Sequence, residues 1–143
     1  MKKKVWAGLL ALMMSTTAAI SQTTMSMDHN GSLMSYYTDG NTGYVTITYV
    51  QPKPSLWQWG VRPGTVLFTG HWIDRWELEG TAYVFGCGPI PYNVKGGIGP
   101  DNVLRLNGQA PIVAIWPFCG VVGWSWSSSN AHLAFYSTSG EMS

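Results

Sequence analysis

Charge is scarce in this chain. Only 10% of its 143 residues are Asp, Glu, Lys or Arg, whereas 45% are apolar. Disorder needs the opposite balance, low hydrophobicity with high net charge, so the composition argues for a folded chain. A formal charge of +1 argues against a nucleic-acid footprint, which needs clustered Lys and Arg. Cysteine is nearly absent as well. Cys87 and Cys119 are the only two, and with no CxxC they cannot build a zinc site by themselves. The catalytic signatures GxSxG, HExxH, the P-loop and GxGxxG are all missing. So is helical periodicity: 17 Gly and 8 Pro punctuate the chain, nearly all beyond the N-terminal segment, which argues against a helical bundle. The length suffices for one domain and not for two.

What is present begins with a targeting segment. Lys2, Lys3 and Lys4 precede an apolar run from Val5 to Met14, and mostly small residues follow from Ser15 to Ser21. The run is too short for a stable bilayer anchor, which needs roughly 20 residues, and reads as a secretory signal of bacterial style. Cleavage is expected after Ala19 or Ser21. Removing the three lysines leaves five basic residues against seven acidic ones, a net charge of −2. Neither a nucleic-acid nor an anionic-lipid partner follows from that net charge. In an exported chain an even pair of cysteines reads as one disulfide, Cys87–Cys119.

The remainder breaks into short runs bounded by turn residues. Residues 22–30 are polar without a period and are expected to be a flexible lead-in. Tyr44 to Val50 alternates strictly, with Val45, Ile47 and Tyr49 on one face, and pairs with Ser32–Tyr37 across the turn Asp39–Gly43 as a hairpin. Gln51 to Gly64 is rich in Pro and Gly and reads as a connection or edge. Further strands are expected at Thr65–Thr69, Trp76–Phe85, Tyr92–Lys95, Asn102–Leu106, Pro111–Trp116, Val121–Trp126 and Ala131–Tyr136. Gly70 reads as a turn or bulge and Gly80 as a bulge or close approach. Strands at this spacing indicate an all-β antiparallel sandwich or small barrel of about eight strands over residues 31–143, carrying one disulfide.

Aromatic side chains are the richest chemistry here. Seven tryptophans lie beyond the leader, and Trp57/Trp59 and Trp124/Trp126 sit two apart, so in extended backbone each pair shares a face. Indole plates suit sugar rings, whose C–H faces stack on π systems, and each carries one N–H donor. Trp57 and Trp59 lie in a Pro/Gly-rich loop, where binding residues concentrate. His71, Asp74 and Glu77 are spaced three apart around Trp72 and Trp76. On a helix they would share a face and could hold a metal, but a hairpin turn is the better reading, and it makes them diverge. His132 alternates with apolar Ala131 and Leu133 and belongs on an outer face. Asn30-Gly31-Ser32 is a glycosylation sequon, inert in a bacterial setting.

The segments Asn30–Met34, Gly60–Thr65, Gly80–Phe85, Cys87-Gly88, Tyr92–Gly96 and Leu104–Gly108, together with Cys119, resemble an uncharacterised family of small bacterial exported β domains. Modules of this kind stand alone or beside other exported domains, sometimes caspase-like peptidases. The resemblance runs from Asn30 to Tyr136, rests on structural glycines, prolines and the cysteine pair, and implies a disulfide-linked single domain without assigning an activity. A weaker similarity is to periplasmic lysozyme inhibitors, which are small disulfide-linked β-barrels.

The expectation is therefore an exported binding module, periplasmic or secreted. It docks an envelope glycan or protein partner through the surface aromatics Trp57, Trp59, Trp72, Trp76, Trp124 and Trp126. No cofactor, nucleic acid or membrane anchor persisting after leader cleavage is expected. The alternatives are an inhibitor or accessory protein of a cell-wall enzyme and a hydrolase using His71, Asp74 and Glu77.

Overall fold

Side chains of an extended chain point alternately to opposite faces, and β-branched and aromatic residues fit that pleated surface best. The run Tyr44–Gln51 shows the consequence: Val45, Ile47 and Tyr49 are buried, while the residues between them face outward. The computed structural model describes residues 22–138. It contains ten strands: β1 (Gln22–His29), β2 (Ser32–Asp39), β3 (Tyr44–Gln51), β4 (Val66–Trp72), β5 (Leu78–Val84), β6 (Ile90–Ile98), β7 (Val103–Asn107), β8 (Ala110–Ala114), β9 (Gly120–Ser125) and β10 (His132–Ser137). Eight of them close into an antiparallel barrel in the order β1-β10-β7-β6-β5-β4-β3-β2, and β8 and β9 pair separately as a hairpin. The chain thus meanders through β7, leaves the barrel for the hairpin, and returns as β10 between β7 and β1. The fold is all-β, as the turn spacing predicts. Among the described residues no helix is long and apolar enough to cross a membrane. The segment read as an export leader, residues 1–21, lies outside the described residues.

The barrel is filled by its own side chains, as small barrels are. Met27, Met34, Ile47, Phe68, Leu78, Leu104, Leu106 and Phe135 are fully buried and come from seven strands. Each such side chain contributes about 1.5–3 kcal/mol on leaving water. Burial also pushes the Tyr49 hydroxyl up to about 12.

Two expectations need correction. Residues 22–29 are not a flexible lead-in but β1, which pairs with β2 along its whole length, from Gln22↔Asp39 to His29↔Ser32. Its inward face consists of Met25, Met27 and His29, of which the last two are buried. The buried His29 is satisfied locally. Its Nδ1–H donates to the Ala134 carbonyl at 2.9 Å, and its ring stacks on Phe135 at 4.6 Å. Gly70 is likewise neither turn nor bulge. It lies within β4 directly opposite Gly80 of β5. A Cβ on Gly80 would be driven into the Thr69 carbonyl oxygen, and one on Gly70 into the Glu79 carbonyl oxygen and the Phe68 ring. The two strands approach so closely there that only glycine fits.

The β3–β4 connection holds a short 3-10 helix, Pro54–Trp59, opened by Pro54 and stopped by Gly60 at φ 88°. Cys87, in the β5–β6 connection, and Cys119, immediately before β9, are disulfide-bonded with Cα atoms 5.5 Å apart. The bond ties the tip of the β8–β9 hairpin to the barrel and fits an oxidising, non-cytoplasmic setting.

Candidate functional site

The hairpin is a surface element pinned at both ends. At its tip stands the disulfide. At its base Ala110 and Pro111 are buried against the barrel. The serine-rich segment after β9 is a chain of local caps: Ser125 Oγ accepts the N–H groups of Ser127 and Ser128 at 3.0 and 3.2 Å, and Ser128 Oγ accepts that of Asn130 at 3.1 Å. His132 completes the anchorage. Its Nε2–H donates to the Trp126 carbonyl at 2.7 Å, and its Nδ1 lies 2.9 Å from the Asn107 carboxamide. The backbone that carries Trp126 is therefore fixed to β7 and β10.

With the hairpin held there, a groove of about 980 Å³ opens between it and the outer barrel face. Trp124 and Trp126 line one wall, and both are more than half exposed. The opposite side is the polar face of β4, β5, β6 and β7, including His71, Glu79, Thr81, Asn93, Lys95 and Asn107. Strand register sets these side chains in rows. Tyr44 lies opposite His71, His71 opposite Glu79, Glu79 opposite Lys95, Lys95 opposite Asn107, and Asn107 opposite His132. A second row runs Thr69, Thr81, Asn93. Directly opposed residues have Cβ atoms about 4.5–5.5 Å apart, so the first row is a band of phenol, imidazole, carboxylate, ammonium and amide groups and the second a band of hydroxyls ending in an amide. Glu79 and Lys95 oppose unlike charges within the first.

The six tryptophans singled out by the sequence fall in three places. Trp124 and Trp126 share the groove. Trp72 is half-buried and its Nε1–H donates to Tyr36 Oη at 3.0 Å, closing the far end of the barrel. Trp76 stands in the β4–β5 turn beside the Arg75 guanidinium, 5.8 Å from its ring centroid. Trp57 and Trp59 do not share a face, because a 3-10 helix turns by about 120° per residue and not by the half-turn of a strand. The Arg62 guanidinium covers the Trp57 ring at 4.5 Å and donates to the Trp57 carbonyl at 2.8 Å. Trp59 packs beside Gly86. The His71, Asp74 and Glu77 triplet diverges, as the hairpin reading predicts. The Asp74 carboxylate is spent on the turn, accepting the N–H groups of Trp76 and Glu77 at 2.7 and 2.8 Å. Among the described residues no three His, Cys, Asp or Glu side chains converge as a metal site. His71 faces Glu79 instead.

Glu79, Lys95, Asn93, Asn107 and Gln109 were not singled out by sequence reasoning. Alternation marks Glu79 as an outer residue, but only register puts four strands' outer residues in one row. A second cavity of about 560 Å³ lies where the hairpin meets the barrel mouth, among Leu56, Trp59, Ile112 and Leu133 with Ser125 and Asn130. No family model, curated protein or solved structure matches the chain.

Proposed function

We propose that this chain is an exported glycan-binding module, acting in the periplasm or beyond, and that its ligand lies in the groove beside Trp124 and Trp126. The observation that carries this reading is the pairing, in one groove, of two exposed indoles with a ruled band of polar side chains. A saccharide ring presents an apolar C–H face and an equatorial rim of hydroxyls. The indoles suit the face. The hydroxyls, amides and the Glu79/Lys95 pair suit the rim, since each group donates, accepts or does both. The groove lies within the size range of small-ligand sites. The rigid backing of the wall, through His132 and the disulfide, limits the ordering that binding must impose. The leader-like sequence and the disulfide together support the exported setting.

The test is a fluorescence titration with soluble oligosaccharides released from bacterial cell wall. The indole emission of the intact protein should respond saturably. Trp124→Ala and Trp126→Ala should each weaken binding about ten-fold, a loss of ~1.4 kcal/mol. Trp57→Ala and Trp59→Ala should leave affinity within two-fold. Unchanged affinity in both groove variants would overturn the assignment.

A further inference from the structure

The most exposed large apolar side chains of the described residues lie outside the groove, at the tip of the β8–β9 hairpin. Trp116 is 82% exposed and Phe118 84%, flanked by Ile115 and Val122. None of the four lines the groove. From Leu106 to Gly140 the sequence contains no Asp, Glu, Lys or Arg. The disulfide joins this tip to the β5–β6 connection, which is also free of charge. Trp59 continues the surface, bordering Ile112 and Ile115 on one side and Gly88 and Pro89 on the other.

Charge is distributed around this apolar end in one sense. Connections of an antiparallel meander alternate between the two barrel ends. At the end of the hairpin tip, the β3–β4 connection supplies Lys53 and Arg62, and the connecting segments there hold no acid among the described residues. Asp39, Asp74, Glu77 and Asp101 stand at the opposite end. The acid nearest the apolar end is Asp28, on the barrel wall in β1. The negative balance of the chain beyond its leader therefore conceals a local basic and apolar pole.

We propose that this pole docks on the surface of a lipid bilayer bearing anionic headgroups. Ile115, Trp116, Phe118 and Val122 enter the interfacial layer, and Lys53 and Arg62 face the headgroups. Indole is favoured at that depth because its ring is apolar and its N–H stays wet. A charge-free wedge enters without desolvating an ion, and binding scales with apolar area plus attraction to anionic lipid. The tip, residues 115–122, carries no charged or side-chain amide group with which to build a polar rim. A protein partner would need a matching pocket and such a rim, whereas a fluid bilayer needs neither. The docked pole leaves Trp124 and Trp126 facing their groove, so this inference stands apart from the glycan reading.

Co-sedimentation with vesicles tests it. Protein purified after export, with the same N-terminus in every variant, is mixed with vesicles of phosphatidylcholine and phosphatidylglycerol in roughly a seven-to-three ratio, and with phosphatidylcholine alone. The protein should sediment with the anionic vesicles and show blue-shifted indole emission. The pair Trp116→Ser with Phe118→Ser should weaken partitioning at least ten-fold. Lys53→Gln with Arg62→Gln should weaken it by about five-fold per charge on anionic vesicles only. Trp124→Ala should change neither. All substituted side chains except Lys53 are exposed, and retained circular dichroism confirms the fold. No sedimentation with anionic vesicles would overturn the proposal. So would partitioning indifferent to the tip variant, or a lipid-free dimer that the tip variant dissolves, which would make the tip a protein interface.

Discussion

At the scale of single residues, His29 and the Gly70/Gly80 pair show how little room this barrel leaves. Burial holds the His29 imidazole below its ordinary value of 6.5, opposed by its bond to Ala134 and by neighbouring Asp28, while Lys53 pushes the same way as burial. The unfolded chain therefore binds a proton that the folded chain refuses. The stability this supplies is complete above pH 6.5 and falls away as pH drops through the lowered folded value. Denaturant midpoints measured between neutral pH and pH 5 should decline in the native chain, and His29→Gln should flatten that slope. Gly80→Ala should cost about 3 kcal/mol or more, because its methyl meets backbone on β4 and backbone cannot rotate away. Chemical unfolding of that variant measures the loss directly. The sequence marks Gly80 as a point of close approach but Gly70 as a turn. The distinction lies in cross-strand register, which a lone glycine does not encode.

At the scale of elements, strands with β-branched or aromatic faces are readable and β1 is not. Val45, Ile47 and Tyr49 announce β3 by alternation alone. In β1 the inward positions are Met25, Met27 and His29, separated by Ser26 and Asp28, and a histidine counts as polar until a carbonyl and a phenyl ring are found for it. Trp57/Trp59 and Trp124/Trp126 have identical spacing, yet a 3-10 helix disperses the first pair and a strand end aligns the second. The cysteine pair is readable, but its mechanical role, holding a hairpin against a barrel, is not. Replacing both cysteines with serine should lower stability by ~3–4 kcal/mol on the chain-entropy estimate for a loop of 32 residues. Thermal unfolding should show that loss. Limited proteolysis should begin between Ile112 and Val122 while the far-ultraviolet spectrum of the barrel persists, because the hairpin shares no backbone ladder with the barrel.

At the scale of the whole molecule, closure of the meander decides what function the surface can carry. The outer residues of β4 through β7 are ordinary wet-face residues taken one strand at a time. Closure and register convert them into a floor, and the detour of the chain between β7 and β10 supplies the aromatic wall. That detour is the feature hardest to see beforehand, since Pro111–Trp116 and Val121–Trp126 look like two more barrel strands. The same detour sends Trp116 and Phe118 away from the groove, so one hairpin presents two surfaces of different chemistry. The proposed groove requires that ligand meet the indoles of Trp124 and Trp126. Indole N–H resonances of the ¹⁵N-labelled protein, followed during titration with cell-wall oligosaccharide, report each tryptophan separately. The Nε1–H signals of Trp124 and Trp126 should move together and saturate together, while that of Trp72, bonded to Tyr36, stays in place. Movement confined to Trp57, Trp59 or Trp116, with Trp124 and Trp126 still, would contradict it.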